Sequence, residues 1–280
     1  MKKFLALFLA VLMLVSTLVI FSACKKEETL VMATNAAFPP YEYKDGDKIV
    51  GIDAEIAAAI AEKLGMKLEI VDVAFGAVLT GVAEGKYDMG LAGITVTEDR
   101  KKTMDFSDSY ATGIQVIIVN DGSEIETLED IFVFNDDGDP IGLQDTDVRV
   151  GVQENTTGDI YSSDDIENWG FNDLDDEGAV EGEDRVKRYN TGAEAISALK
   201  TGKVDMVIID NEPAKSFVEE NEGIHILEGE NEYAVEDYAI CVKKGNKELL
   251  DKINQALKEL KEDGTIAAII EKYIPSGKED

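Results

Sequence analysis

One arginine of this 280-residue chain has a setting that suits ligand chemistry. The stretch from Gly90 to Arg100 reads GLAGITVTEDR, an apolar run followed by hydroxyl groups and then a guanidinium. Thr97 can cap the first turn of a helix, which would place Arg100 beside free backbone N–H groups. A planar guanidinium there can hold a carboxylate through two parallel hydrogen bonds. A surface ion pair with Glu98 or Asp99 is the competing interpretation.

Two other residues of the same stretch would lie close to that guanidinium. The run from Tyr87 to Ile94 is short and apolar, which predicts a buried strand. Gly93 would let a ligand approach the backbone closely, and Thr95 offers a hydroxyl where the strand ends.

Strands and helices alternate along the chain, which predicts an α/β fold with a mainly parallel sheet. Ligands of such sheets bind beyond the carboxyl ends of the strands. Several candidate residues fall just past predicted strands and would share one rim: Asn35, Phe38, Phe75, Gly93, Thr95 and Arg100. For Phe38, which Pro39 holds in an extended segment, ordinary packing is an equal alternative.

The other predicted elements position this rim. The predicted strands are Leu30–Thr34, Lys67–Val73, Arg149–Gln153, the strand that ends at Asp210, and Glu236–Lys243. The predicted helices are one capped by Asp53 and closed by Gly65, Val78–Glu84, Thr191–Lys200, a long one capped by Asn246, and Thr265–Ile274.

The second half of the chain repeats a pattern of the first. The segment 202–206 reads GKVDM and echoes GKYDM at 85–89, and each copy opens an apolar strand after a short helix. The echo suggests two lobes of similar build. Asp210 ends the second strand, where capping of the next helix is the alternative role. Thr156 and Thr157 open another helix, whose free N–H groups suit an anion or a plain cap.

Composition excludes some classes of function. The formal net charge of −31 argues against nucleic acid and against docking of the protein surface on anionic lipid. His225 is the one histidine, and no Cys and His cluster has metal-ligand spacing. We expect no metal and no cofactor. Cys241 lies within a predicted strand, where a thiol is usually packing.

The N-terminus predicts export. Lys2 and Lys3 precede an apolar run from Phe4 to Phe21, which is typical of a secretory signal. Ser-Ala-Cys at 22–24 resembles the lipobox of bacterial lipoproteins, which implies cleavage before Cys24 and acylation of its sulfur. An uncleaved membrane helix is the alternative. Residues 25–28 would form a tether.

Residues 121–188 carry 22 acidic and 4 basic side chains. The run from Asn135 to Asp139 looks like a calcium loop, but it lacks the alternating ligands and distal Glu of an EF-hand. We therefore interpret it as a solvated loop.

Taken in order, these motifs resemble bacterial extracellular solute-binding protein family 3, the polar amino-acid-binding proteins of ABC transporters, in lipoprotein form. Glutamine- and histidine-binding proteins are typical members. The resemblance covers about residues 29–275. The stretches that carry it are Ala33–Tyr41, Gly51–Asp53, Gly93–Thr97 with Arg100, Asp105–Tyr110, Val150–Gln153 with Thr156–Gly158, and Val204–Asp210.

The resemblance implies a two-lobed, periplasmic-binding-protein-like fold of type II. Each lobe would be a mainly parallel sheet flanked by helices, and two crossover strands would join the lobes. Lobe 1 would comprise residues 29–112 plus 236–280, and lobe 2 residues 113–235. The crossovers would lie near Tyr110–Ile114 and Val235–Tyr238.

The resemblance also implies roles for the rim. Arg100 and the Thr157 N–H would hold the α-carboxylate of a free amino acid. Asp210, Thr95 and the Gly93 carbonyl would hold its α-ammonium, and two aromatic rings would sandwich its side chain. With Asn35 and Gln153 the implied ligand-binding set is Asn35, Phe38, Phe75, Gly93, Thr95, Arg100, Gln153, Thr157 and Asp210. Relatives for basic amino acids place Asp where Asn35 stands, so Asn35, with Ile209, favours a neutral polar ligand.

The expected function is that of a monomeric, lipid-anchored substrate-binding component on the outer side of the membrane, delivering an amino acid to permease subunits. A dehydratase of cyclohexadienyl amino acids is an alternative on the same fold. It would need a general acid or base in the cleft, and Asp210 is already assigned to an ammonium. A ligand-sensing ectodomain is the third alternative.

Overall fold

The computed structural model describes residues 28–175, 177–227 and 235–275. The predicted signal segment, the lipobox Cys24 and nearly all of the tether lie outside the described residues. Within the described ranges, no helix is long and apolar enough to cross a membrane.

The described chain alternates short strands with helices. The strands are β1 (Thr29–Thr34), β2 (Ala37–Phe38), β3 (Glu42–Asp45), β4 (Lys48–Val50), β5 (Lys67–Asp72), β6 (Met89–Gly90), β7 (Met104–Phe106), β8 (Ala111–Asn120), β9 (Phe132–Phe134), β10 (Pro140–Leu143), β11 (Val150–Gln153), β12 (Val186–Tyr189), β13 (Met206–Asp210), β14 (Ile224–Ile226), β15 (Val235–Tyr238) and β16 (Cys241–Lys243). The helices are α1 (Ile52–Leu64), α2 (Phe75–Glu84), α3 (Glu98–Thr103), α4 (Thr157–Ser162), α5 (Gly192–Lys200), α6 (Asn211–Glu220), α7 (Lys247–Glu262) and α8 (Thr265–Tyr273).

Two sheets organise the chain. The first sheet has the strand order β5-β1-β6-β16-β7, and the second has the order β12-β11-β13-β8-β14. In each sheet three neighbouring strands run parallel and the remaining two pairings are antiparallel. The parallel strands are connected through helices, as the alternation of strands and helices in the sequence predicted. The antiparallel strands are those along which the chain passes between the sheets.

The echoed segments occupy equivalent places in the two sheets. Asp88 accepts a hydrogen bond from the N–H of Val31 on β1 at 2.7 Å. Asp205 accepts one from the N–H of Arg149, just before β11, at 2.8 Å. In both cases a carboxylate that precedes the strand satisfies a backbone donor of the parallel neighbour, so the sequence echo reflects a shared local structure.

Two paired strands join the sheets. Ala111–Ile114 of β8 pair antiparallel with β15, and β8 then continues into the second sheet. The predicted single strand Glu236–Lys243 is wrong in its extent, because Ala239 and Ile240 separate β15 from β16. That break lets the chain leave β8 and enter the first sheet.

Two further boundaries differ from the prediction. Of the predicted strand Tyr87–Ile94 only β6 pairs, because Gly93 turns the chain with a φ of +51°. Helix α1 begins at Ile52 after Gly51, so Asp53 is not its cap. Gly65 closes α1 in the left-handed conformation, as predicted.

The apolar faces of the helices cover the sheets. Helix α1 buries Ile56 and Ile60 against β5 and the C-terminal helices α7 and α8. Cys241 on β16 is fully buried beside Val78, which fits the packing role expected of it. Burial of such apolar side chains is the main favourable contribution to the packing of the helices on the two sheets.

The acidic segment, residues 121–188, includes strands β11 and β12 of the second sheet. It contains the β9–β10 hairpin, whose Phe132 and Phe134 pack against Trp169. In the loop between these strands the Asn135 carboxamide oxygen accepts the N–H groups of Asp137 and Asp139. These bonds fit a solvated loop, and the described residues contain no cluster of acidic, His or Cys side chains with metal-binding geometry.

Candidate functional site

The predicted rim residues line one cavity between the two sheets. Its walls are Asn35, Phe38, Glu42, Phe75, Ala92, Gly93, Thr95, Arg100, Gln153, Thr156, Thr157 and Asp210. All nine predicted site residues are among them. The space between these atoms amounts to about 300 Å³, but in this closed arrangement it admits little more than a single water molecule.

Arg100 enters the cavity from the first turn of α3. Thr97 caps this helix by accepting the N–H of Arg100 at 3.2 Å. Arg100 is 7% exposed, and its Nη1 donates to the carbonyl of Thr95 at 2.8 Å. Its Nη2 donates to the carbonyl of Asn155, across the cleft in the second sheet's half of the chain, at 3.0 Å.

The surface ion pair considered for Arg100 is wrong. Glu98 pairs with Lys101 at 2.8 Å, and Asp99 pairs with Lys102 at the edge of α3. These exposed lysines satisfy the two carboxylates, so the buried guanidinium is left to face the cavity.

Asp210 ends β13 and faces the same cavity. Its side chain makes no helix-capping bond, which removes the capping role as its explanation. Asp210 is 4% exposed, and its carboxylate accepts a hydrogen bond from the hydroxyl of Tyr238. Burial, and next the nearby Glu236, raise the pKa of Asp210 to about 7. A carboxylate in this state is stabilised by any cation that reaches it.

Gly93 shapes the floor of the cavity. Its φ of +51° is left-handed, and a Cβ there would lie 2.9 Å from the ring of Phe38. The Gly93 N–H donates to Asp53 at 2.9 Å, so Asp53 holds this turn in place. Burial raises the pKa of Asp53 to about 6. The carbonyl of Gly93 is the group that the resemblance assigned to a ligand.

Two aromatic rings stand at the cavity. Phe38 follows β1 on the two-residue strand β2, and Phe75 opens α2. The Arg100 guanidinium carbon lies 5.4 Å from the centre of the Phe75 ring, so this ring also supports the guanidinium. Both rings are largely buried, as a stacking surface inside a cleft requires.

An amide pair spans the two sheets. Gln153, at the end of β11, donates its Nε2 to the Asn35 carboxamide oxygen at 3.0 Å. The Asn35 Nδ2 in turn donates to the carbonyl of Val73 at 2.9 Å. The Gln153 Oε1 atom is buried and has no hydrogen-bond partner among the described residues, which leaves an acceptor at this wall.

Thr157 begins α4, and Thr156 caps this helix by accepting the N–H of Asp159 at 3.3 Å. The Thr157 hydroxyl donates to Glu236 at 3.0 Å. Asn155 precedes it in the left-handed conformation, with a φ of +67°. The helix start therefore presents backbone N–H groups beside the cavity wall.

Two carboxylates of this region were not predicted from the sequence. Glu42 lines the cavity at 1% exposure, and both its oxygens lack a hydrogen-bond partner among the described residues. Glu236 lies just behind the wall at 2% exposure. For Glu236, the alternation of inward and outward residues along β15 was a signal of burial that the sequence offered. Glu236 shares a face of this strand with the buried Tyr238, whereas Asp237 points outward.

His225, the one histidine, is placed away from the cavity. It lies on β14, which pairs with the end of β8 remote from the crossover, and its ring contacts the exposed Asp121 at 3.0 Å. Among the described residues the cavity walls contain no imidazole, thiol or lysine. The arrangement offers opposite charges, hydroxyls and aromatic faces, which suit the binding of a small zwitterion.

Comparison with known proteins agrees with this geometry. Residues 30–276 match the bacterial extracellular solute-binding proteins, family 3. The chain belongs to this family. The arginine-binding extracellular protein ArtP of Bacillus subtilis (strain 168) is 29% identical over 252 residues, which cover 90% of this chain and 88% of that protein.

Solved structures show the same fold. The substrate binding protein of an amino acid ABC transporter superposes with a TM-score of 0.73 at 32% identity, over 88% of this chain and 99% of that one. An ancestral arginine-binding protein bound to glutamine gives a TM-score of 0.72 at 37% identity, over 89% and 98%. The fold is thus the two-lobed type II periplasmic-binding-protein fold, in which each of the two sheets forms the centre of a lobe.

Proposed function

We propose that this protein binds a free amino acid between its two lobes and delivers it to the permease of an ABC importer. The observation that carries the proposal is the pair of opposite charges in one cavity. Arg100 comes from the first lobe and Asp210 from the second, and both are buried. An α-amino acid carries the two complementary charges, and the family relationship supports transport.

We divide the chain into lobe 1, residues 29–112 plus 236–280, and lobe 2, residues 113–235. The paired crossover segments of β8 and β15 support this division. Because the closed cavity is narrow, entry of an amino acid requires the lobes to part. A ligand that contacts both lobes then favours the closed form by its preference for that form.

The α-carboxylate is assigned to Arg100 and to the backbone N–H of Thr157. A guanidinium has five N–H donors, of which main-chain carbonyls engage one on each terminal nitrogen. The remaining donors can hold a carboxylate. The N–H groups at the start of α4 add a second, fixed set of donors.

The α-ammonium is assigned to Asp210, the Thr95 hydroxyl oxygen and the Gly93 carbonyl. These are one anion and two neutral acceptors, which match the three hydrogens of an ammonium. The ammonium would also offset the unfavourable burial of the Asp210 carboxylate.

The side chain is assigned to the space between Phe38 and Phe75, ending at Asn35, Gln153 and Glu42. The unpartnered oxygens of Glu42 and Gln153 favour a side chain that donates N–H groups. Burial, and next Asp53, hold the pKa of Glu42 well above its usual value and favour its neutral form. We therefore propose that the side chain of the ligand is a neutral amide. Pairing with a guanidinium side chain would require Glu42 to lose its proton.

We further propose that Cys24 is acylated after removal of residues 1–23 and that the monomeric protein is held at the outer face of the membrane by this lipid alone. The lipobox-like sequence supports the anchor. The family is extracellular. The strongly acidic composition supports a protein surface that does not itself adhere to anionic lipid.

Binding rather than catalysis is proposed for this cleft. A dehydratase needs a proton donor or acceptor at the reacting atoms. Asp210 is engaged by Tyr238 and assigned to the ammonium, and Glu42 is assigned to the side chain of the ligand. The named relatives are binding proteins.

A thermal-shift screen of residues 25–280 against the twenty amino acids and cystine tests the proposal. A ligand that binds only the folded protein stabilises it by about 2.7 kcal/mol at 100 times its Kd. We expect the largest shift with glutamine. A shift with arginine or lysine alone would show that Glu42 ionises to pair with a cation, contrary to the proposed neutral side chain.

The Asp210→Asn variant is the control in this screen. It removes the charge assigned to the ammonium and should abolish or greatly reduce every shift. If no amino acid shifts the wild-type protein, binding of a free amino acid is refuted, and a prephenate-like substrate should then be assayed for turnover.

A further inference from the structure

Glu236 connects both lobes through one carboxylate oxygen. Its Oε2 accepts the hydroxyl of Thr95 at 2.7 Å and the hydroxyl of Thr157 at 3.0 Å. The amide of Gln115 on β8 donates to the same oxygen at 3.4 Å. Thr95 belongs to lobe 1 and Thr157 to lobe 2, while Glu236 itself lies on the crossover strand β15. No rim residue of the cavity makes a comparable set of contacts in the described part of the chain.

These bonds determine what the two threonines present to the cavity. A hydroxyl has one hydrogen, and in both threonines Glu236 receives it. The Thr95 oxygen therefore faces the cavity as an acceptor. For Thr157 the group left free to donate is the backbone N–H at the start of α4. Glu236 thus makes the Thr95 hydroxyl an acceptor suited to a cation, and it keeps the Thr157 hydroxyl from donating into the cavity.

The charges around Glu236 agree with this arrangement. Asp210, Arg100 and the hydroxyl of Tyr161 face it from three other elements. Glu236 disfavours ionisation of Asp210 and favours the charged form of Arg100, in each case after the larger effect of burial. A second anion behind Asp210 increases the attraction of this end of the cavity for an ammonium.

We propose that Glu236 is a positioning residue that orients the hydroxyls of Thr95 and Thr157 and thereby selects ligands with an α-ammonium. The proposal rests on the proposed function in that the ligand is an amino acid. Glu236 does not line the cavity, so it acts through the two threonines and through its charge.

The ligand test compares each of two amino acids, L-glutamine and L-arginine, with its α-hydroxy-acid analogue, which lacks the ammonium. In Glu236→Gln we expect the preference for the amino acid over the analogue to fall at least tenfold, as measured by calorimetry. The matched control is Asp237→Asn, on the same strand with an outward side chain. It removes the same charge and should keep the preference within twofold of wild type.

Equal loss of affinity for amino acid and analogue in Glu236→Gln would overturn the proposal, because damage to the structure alone reduces both. The same result in Asp237→Asn as in Glu236→Gln would also overturn it, because net charge would then explain the effect.

A second measurement needs no ligand. Thermal unfolding is compared for Glu236→Gln, Thr157→Val and the double variant. If the side chains act as a pair, the Tm of the double variant falls by less than the sum of the single shifts. Additive shifts would refute the contact. Failure of the wild-type protein to bind either amino acid or its analogue would refute the proposed function and, with it, ligand selection by Glu236, while the unfolding cycle would still report on the hydroxyl contacts.

Discussion

The Arg100 guanidinium donates to the carbonyl of Thr95, five residues earlier on the same side of the cleft, so part of its side chain is held in place before any ligand carboxylate arrives. A lysine could supply the charge but not the planar fork. This preorganisation is what distinguishes Arg100 from the exposed Lys101 and Lys102 of the same helix, which pair with carboxylates at the surface.

Replacement of Arg100 by alanine should weaken binding of the amino acid identified by the screen by about 2–5 kcal/mol, because the ligand carboxylate would be buried without its cation. Arg100→Lys should recover part of this loss. Lys101→Ala is the matched control and should bind like wild type. Affinities are measured by calorimetry, and an Arg100→Ala protein of wild-type affinity would contradict the assignment.

Asp210 should make binding depend on pH. Its pKa of about 7 in the folded protein lies far above the ordinary value of about 3.9. An α-ammonium favours the ionised carboxylate, so a proton must leave Asp210 when binding occurs below pH 7. We expect the affinity to fall by up to about tenfold for each pH unit below 7.

Asp210→Asn is the control, since it should bind weakly with little dependence on pH above 6. An affinity of the wild-type protein that is constant from pH 8 to pH 5.5 would show that Asp210 does not change its charge. The same raised pKa has a consequence for folding. The folded state holds this proton more tightly, so the contribution of Asp210 to the unfolding free energy is greatest below pH 4, decreases as the pH rises towards 7, and is constant above that.

At the scale of elements, the rim is built where short elements end or turn. The caps at Thr97 and Thr156 set the direction of α3 and α4, and Gly93 turns the chain after β6. Asp53, inside α1, holds that turn through the Gly93 N–H. The local geometry of the cavity floor thus depends on a helix 40 residues earlier in the chain.

Gly93→Ala should lower both the Tm and the ligand affinity. The left-handed conformation costs a non-glycine residue about 1–2 kcal/mol, and the new Cβ would also press on the Phe38 ring at 2.9 Å. Gly46→Ala is the matched control, because Gly46 has a φ of +60° but a Cβ added there would have no atom within 4 Å.

Gly46→Ala should therefore lower the Tm by the backbone effect alone and keep wild-type affinity. Calorimetric binding and thermal unfolding of the two variants separate the two effects. Equal affinity in both variants would mean that the position of Phe38 does not matter for binding.

At the scale of the whole molecule, two lobes meet along surfaces connected by the paired strands β8 and β15. The polar contacts across the cleft include Arg100 to Asn155, Gln153 to Asn35, Glu236 to Thr157, and Tyr238 to Asp210. They converge on the cavity, so the closed form and the arrangement of the site depend on each other.

The net charge of −31 should make stability depend on salt. Repulsion among exposed carboxylates disfavours the compact state, and ions screen it over a distance that shrinks from about 30 Å at 0.01 M to about 3 Å at 1 M. We expect the Tm to rise by several degrees between these NaCl concentrations. KCl at equal concentrations is the control for a specific sodium effect, and a Tm that falls or stays constant would contradict the expectation.

Much of the site was predictable because its signals are local. Each signal spans no more than about ten residues: the end of a strand, a capping threonine, or a glycine at a turn. These patterns predicted Arg100, Thr157 and Asp210, which line the cavity. The paired crossover segments and the two-lobed fold were implied by the resemblance to the family, which depends on the order of motifs over the whole chain. The chemistry of the rim was therefore determined by the sequence.

Tertiary structure alone decided the roles of Asp53, Glu42 and Glu236. Asp53 looked like a helix cap, yet its carboxylate binds the Gly93 turn. Glu236 meets Thr95 across 141 residues of chain, and no local pattern encodes such a contact. A buried carboxylate is stabilised by hydrogen-bond partners, and those of Asp53 and Glu236 come from elements that are distant in sequence and meet only in the folded protein.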